Sequence, residues 1–102
     1  MRPRFALLLG AATAPFALTP PAVGAPKFPT YDSRSFCVGR VASSGVADCV
    51  SLQDQAAVNA RVLWLQASDP EKIKCIDYVE NDDVPPSYMR LRDCLEFERK
   101  GR

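Results

Sequence analysis

Five residues in the C-terminal half, Asp77, Glu80, Asn81, Asp82 and Asp83, crowd side-chain oxygens into one short stretch. Carboxylate and carboxamide oxygens are the ligands of hard cations, so this is a candidate site for calcium or a lanthanide ion. Asp77 and Glu80 stand one helical turn apart. Negative charge at the C-terminal end of a helix is unfavourable unless a cation or an arginine offsets it. Arg90 and Arg92 follow closely enough to do so from within the chain. The stretch lacks the alternating ligands and central glycine of an EF-hand loop. A solvated acidic turn that stops a helix accounts for the same residues without a ligand. A second acid pair, Asp93 and Glu96, has the chemistry of a general acid, but the sequence builds no cleft around it. The chain contains no histidine, which removes Ser-His-Asp and Cys-His catalysis and imidazole metal sites. The glycines form no phosphate loop. The expected protein is non-enzymatic and has no obligatory cofactor.

Four cysteines, Cys37, Cys49, Cys75 and Cys94, are the remaining reactive groups. None forms a CxxC pair, so a thioredoxin-like site and the usual zinc-knuckle spacing are both absent. Their redox state depends on where the protein goes. Arg2 and Arg4 precede an uncharged apolar run, Phe5 to Leu18, and Val23-Gly24-Ala25 offers small residues for cleavage. That is the layout of a secretory signal peptide over residues 1–25, and Pro15, Pro20 and Pro21 argue against a membrane-spanning helix. Export predicts a periplasmic or secreted protein with its cysteines oxidised. Loss of Arg2 and Arg4 would change the net charge from +1 to −1, so charge gives no case for nucleic acid.

The elements that position these groups follow from hydrophobic spacing. Residues 26–36, with Pro26 and Pro29, predict an irregular arm, Tyr31 and Phe36 lying over the helices and Val38 and Val41 covering one end of the core. A first helix is expected from between Gly45 and Asp48 to about Ala67. Cys49, Gln53, Ala56, Ala60, Leu63 and Ala67 mark its inner face, widened by Val50, Ala57 and Trp64. Ser68-Asp69-Pro70-Glu71 is a capping box with proline in the first turn. It opens a second helix to about Asn81, with Ile73, Ile76, Val79 and Glu80 inward and Cys75 beside them. Pro85 stops helix at Val84. A third helix is expected from Pro86 or Ser87 to about Lys100 along Tyr88, Leu91, Cys94 or Leu95, and Glu98.

Residues 37–100 therefore predict an all-α domain, an irregular three-helix array stapled by two disulfides and preceded by the arm. Short connections favour antiparallel sequential neighbours. Helix heights favour Cys37–Cys49 with Cys75–Cys94, while Cys37–Cys75 with Cys49–Cys94 stays open. Tyr31, Phe36, Trp64, Tyr78, Tyr88 and Phe97 are many aromatics for so small a core. Exposed aromatic surface favours a protein partner or a homodimer, with Trp64 and Tyr88 as candidate interaction residues.

Four pieces, Cys37, DCVSLQDQAAVNARVLWL, SDPEKIKC and PPSYMRLRDCLEFE, together resemble a group of small exported alphaproteobacterial helical proteins with four cysteines, most without an assigned function. The resemblance covers residues 36–98. It implies a periplasmic location and a helical form, and carries over no catalytic residue. The leading expectation is a periplasmic binding or protein-interaction domain. The alternative is a hard-cation binder using the carboxylates of residues 77–83.

Overall fold

The computed structural model describes residues 24–102. Most of the predicted signal peptide lies outside them. Among the described residues four α-helices form, with two disulfides. Residues 24–32 are irregular, as the prolines require, and the arm then closes into a short helix, α1 (Ser33–Val38). Asp32 starts it by accepting a hydrogen bond from the Ser35 N–H at 3.0 Å, an N-cap that supplies one of the helix's unpaired donors. This helix was not expected from the proline-rich pattern around it.

A 3-10 turn at Ser43–Gly45 leads into α2 (Val46–Gln66). Its buried residues, Gln53, Ala56, Ala60 and Trp64, are those of the expected inner face. The connection to α3 (Asp69–Glu80) is only Ala67 and Ser68. The capping box forms in full: the Glu71 N–H donates to Ser68 Oγ at 3.3 Å, and the Ser68 N–H donates to Glu71 Oε1 at 2.9 Å. After the Pro85-Pro86 link, Ser87 caps α4 (Tyr88–Lys100), its Oγ accepting from the Arg90 N–H at 3.2 Å.

The core is built around α4. Tyr88, Leu91 and Leu95 meet Ala56, Ala60 and Trp64 of α2 on one side and Cys75 and Val79 of α3 on the other. The most extensive packing is α2 against α4, followed by α3 against α4. Sequential neighbours α2 and α3 are not the main pair; α4 lies between them. Small residues explain the arrangement. Ala56 and Ala60 leave room for the bulk of Leu91 and Leu95, and close packing of that kind decides helix neighbours more strongly than loop length does.

Cys37 bonds Cys49 with Cα atoms 5.8 Å apart, and Cys75 bonds Cys94 with Cα atoms 5.6 Å apart. The first bond ties α1 to the start of α2; the second joins α3 to α4. Restricting loops of 12 and 19 residues stabilises the fold by about 3 kcal/mol for each bond in the chain-entropy account.

The inner face of α3 is narrower than expected. Cys75 and Val79 are buried and Ile76 is half-buried, but Ile73 and Glu80 are exposed. Turning Cys75 toward Cys94 rotates the two ends of the predicted stripe outward. Val38 and Val41 are exposed too and do not cover the core. α1 stands against the first turns of α2, and both valines project from its end.

Candidate functional site

The oxygen-rich stretch at the end of α3 is parcelled out among internal partners. The Asn81 carboxamide donates to Asp77 Oδ1 one turn back. Glu80 Oε2 accepts from the Tyr31 hydroxyl at 3.0 Å and so ties down the arm. Asp82 accepts the Asp83 N–H at 2.6 Å through Oδ1 and the Arg90 guanidinium at 2.7 Å through Oδ2. These bonds, the backbone one first and Arg90 next, hold the Asp82 carboxyl below its ordinary range. Asp83 stays exposed in the turn. Asp77, Glu80, Asn81, Asp82 and Asp83 therefore do not converge as the predicted ligand set. No group of three or more carboxylates or cysteines among the described residues could hold a metal ion. The second acid pair is similarly engaged: Asp93 binds Arg92 at 2.9 Å and Glu96 binds Arg99 at 2.6 Å.

Trp64 and Tyr88, the two expected interaction residues, face inward, with 6% and 9% of their surface exposed. Their partner is the arm. Phe28 meets the Trp64 ring edge-on at 5.5 Å and stacks with Tyr88 at 5.9 Å between centroids. Arg61 lies 4.2 Å above the other participant in this cluster, the Phe28 ring. The Tyr88 hydroxyl accepts the Tyr31 N–H at 2.9 Å and faces the Pro29 carbonyl at 3.4 Å. Tyr31 packs on Tyr88 with centroids 5.1 Å apart. Burial first, and the Glu80 hydrogen bond second, push the Tyr31 hydroxyl well above its ordinary pKa. The arm is thus a lid made by Phe28 and Tyr31. Sequence reasoning named Tyr31 and missed Phe28, whose place between Pro26 and Pro29 was the available signal.

The exposed aromatics lie elsewhere. Phe97 is 73% exposed and Tyr78 is 53% exposed. They flank a groove of about 450 Å³ along α3 and α4, lined also by Lys74, Arg90, Asp93, Cys94 and Glu98. A ladder of cross-links fixes the helices beneath it. Arg102 binds Glu71 at 2.8 Å, Lys74 binds Glu98 at 3.1 Å, Cys94 bonds Cys75, and Arg90 binds Asp82. Arg90 also lies 4.7 Å above the Tyr78 ring, a cation–π contact that orients the tyrosine. Every charge on the rim has an internal counter-charge, so what the groove offers a ligand is chiefly its apolar floor and aromatic walls.

No protein-family model, curated protein or solved structure matches the chain.

Proposed function

We propose that the chain is an exported, non-enzymatic protein-interaction domain whose binding surface is the Tyr78–Phe97 groove. One observation carries this reading: two large aromatic side chains stand in solvent on either side of an apolar groove whose walls are cross-linked by a disulfide and ion pairs. Aromatic side chains held rigid lose little conformational freedom on binding, and they dominate protein-interface energetics. With its rim charges already paired, the groove suits an apolar side chain from a partner protein better than a charged small molecule. The Arg2 and Arg4 leader and the pairing of all four cysteines support export to an oxidising compartment. No described helix is long and apolar enough to cross a membrane.

The test is site-specific photocrosslinking in the native host. A crosslinker at Tyr78 or Phe97 is expected to trap one discrete partner protein. Phe97→Ser is expected to abolish the Tyr78 crosslink without lowering the melting temperature, since Phe97 contributes nothing to the core. Equal capture by crosslinkers at exposed control positions such as Lys27, or none at the groove, would overturn the proposal.

A further inference from the structure

A cavity of about 380 Å³ opens where the arm, α1 and the Pro85-Pro86 link meet. Segments remote in sequence build it, and each is held from behind. Tyr31 is fastened through its hydroxyl to Glu80 and through its N–H to the Tyr88 hydroxyl. The Cys37–Cys49 bond ties α1 to α2. Pro85 and Pro86 have restricted backbone angles, and Ser87 behind them is buried. The walls are therefore preorganised, which lowers the entropic cost of taking up a ligand. Tyr31, Phe36 and the two prolines make them largely apolar. The volume lies in the lower part of the roughly 300–1,000 Å³ range of small-molecule sites.

Two charges of opposite sign border this cavity. Asp32, Phe36 and Arg40 recur at four-residue spacing along α1 and the turn after it, where the Arg40 N–H still donates to the Cys37 carbonyl at 3.0 Å. Asp32 and Arg40 thus stand two turns apart, with Phe36 between them. They do not pair with each other, and neither forms an ion pair with another described residue. Arg40 lies over the Phe36 ring instead, its Cζ 4.9 Å from the centroid. The Ser35 N–H, bonded to Asp32 Oδ1 at 3.0 Å, holds this carboxyl below its ordinary range, so it is anionic at neutral pH. On the rim of the Tyr78–Phe97 groove the charges are already paired; here they are free. A ligand that is only anionic meets Asp32, and one that is only cationic meets Arg40. An uncharged apolar ligand leaves both charges without a partner. A zwitterion with an apolar side chain complements the whole lining. We propose that this cavity binds a free amino acid or dipeptide with a large apolar side chain, its ammonium on Asp32, its carboxylate on Arg40 and its side chain against Phe36 and Pro86. A guanidinium suits the carboxylate end because it can donate two parallel bonds. The site shares no residue with the Tyr78–Phe97 groove and stands independently of the function proposed for that groove.

Nuclear magnetic resonance titration of the oxidised protein with L-phenylalanine and with phenylalanylglycine tests the proposal. Saturating shifts are expected at the Phe36, Gly39 and Arg40 amides, with dissociation constants on the order of 0.1–1 mM. The tighter of the two compounds fixes the length of the occupant. N-acetylphenylalanine lacks the ammonium and phenylalanine amide lacks the carboxylate; each should bind about fivefold more weakly or worse. Asp32→Asn keeps a good N-cap. It should weaken L-phenylalanine by a similar factor without weakening N-acetylphenylalanine, and Arg40→Gln should weaken L-phenylalanine without weakening phenylalanine amide. Gly39 lines the cavity with an ordinary helical backbone, and a Cβ there meets nothing nearer than the Ser35 carbonyl oxygen at 3.8 Å. Gly39→Leu should therefore keep the wild-type melting temperature and crowd the ligand out. No binding of either zwitterion up to about 20 mM, or undiminished binding to Gly39→Leu, would overturn the site. Equal affinity for the zwitterion and its two blocked forms would overturn the pairing with Asp32 and Arg40.

Discussion

Gln53 offers the sharpest test of how the core is held. Only 2% of it is exposed, and its Oε1 accepts the Tyr88 N–H at 3.1 Å and the Met89 N–H at 3.3 Å. These are the first two N–H groups of α4, which have no partner within their own helix. Ser87 Oγ takes the third, from Arg90. A side chain of α2 therefore caps the central helix from across the core. Gln53→Leu keeps approximately the same volume and leaves two donors unsatisfied, one buried and one half-buried. At about 1–3 kcal/mol for each donor, the loss should be roughly 2–6 kcal/mol, a large share of the stability of so small a domain. Gln53→Glu retains the acceptor oxygens and places negative charge at a helix N-terminus, where the macrodipole favours it, so it should lose much less. Urea unfolding with intact disulfides, followed by Trp64 fluorescence and circular dichroism, gives both values. Hydrogen exchange should show faster exchange at Tyr88 and Met89 in Gln53→Leu while the Ser68-capped end of α3 keeps its protection. A loss below about 1 kcal/mol for Gln53→Leu, or equal losses for the two variants, would refute the capping account, because the acceptor would then contribute less than a typical satisfied bond.

Replacing Cys75 and Cys94 together with alanine should destabilise by at least about 3 kcal/mol, from loop entropy and the space left at fully buried Cys75; the midpoint of chemical unfolding measures it, and a loss under about 1 kcal/mol would contradict the staple. The carboxyls of Asp82, Glu71 and Glu96 are held below their ordinary range, Asp82 first by the Asp83 N–H, Glu71 first by the Ser68 N–H and Glu96 first by Arg99. As pH falls the unfolded chain takes up their protons first, so the stability they give is present above about pH 4 and is lost as pH falls through the depressed values. Melting temperature should therefore be level near neutrality and decline below about pH 4; a decline centred near pH 6 would count against these groups. The Tyr31 hydroxyl is shifted the other way, first by burial, so its contribution is full below the unfolded value of about 10 and falls as pH rises beyond it. Ultraviolet titration should show a late-ionising tyrosine in the folded protein that is missing in Tyr31→Phe; complete ionisation of all three tyrosines near pH 10 would refute the burial argument.

The helices were legible because their signals are local. Ser68 and Glu71 close the capping box through bonds three residues apart, and the alternation of Ala56, Ala60 and Trp64 with polar residues repeats at the helical period. The favoured cysteine pairing also formed, since helix length and turn length fix relative height. The order of the layers was not legible. That α4 lies between α2 and α3 depends on how closely Leu91 and Leu95 approach two alanines, a property of facing surfaces rather than of any one segment.

The same distinction explains why the candidate surface moved from Trp64 and Tyr88 to Tyr78 and Phe97. All four aromatics sit in helices, and each has apolar neighbours within a turn. Sequence spacing places an aromatic on a stripe, but only the rotation of the helix decides whether the stripe's margin points in or out. On α3 and α4 that rotation is set by the Cys75–Cys94 bond and the cross-links around it. With Cys94 turned toward Cys75, Leu95 goes into the core and Phe97 goes into solvent. Across the helix, Cys75 and Val79 turn inward and Tyr78 is left at the groove under Arg90. On α2 the outcome reverses, because Phe28 of the arm covers Trp64 and the stacked Tyr88. The acidic turn, which had looked like the chemical centre, is spent on holding these parts together: Glu80 fastens Tyr31, and Asp82 fastens Arg90 over Tyr78. Neutralising Asp82 should therefore act on the groove at a distance. Asp82→Asn is expected to loosen Arg90 and widen the range of Tyr78 ring orientations in nuclear magnetic resonance spectra, while leaving the Trp64 environment unchanged; equal perturbation of both aromatics would refute the separation of groove from core.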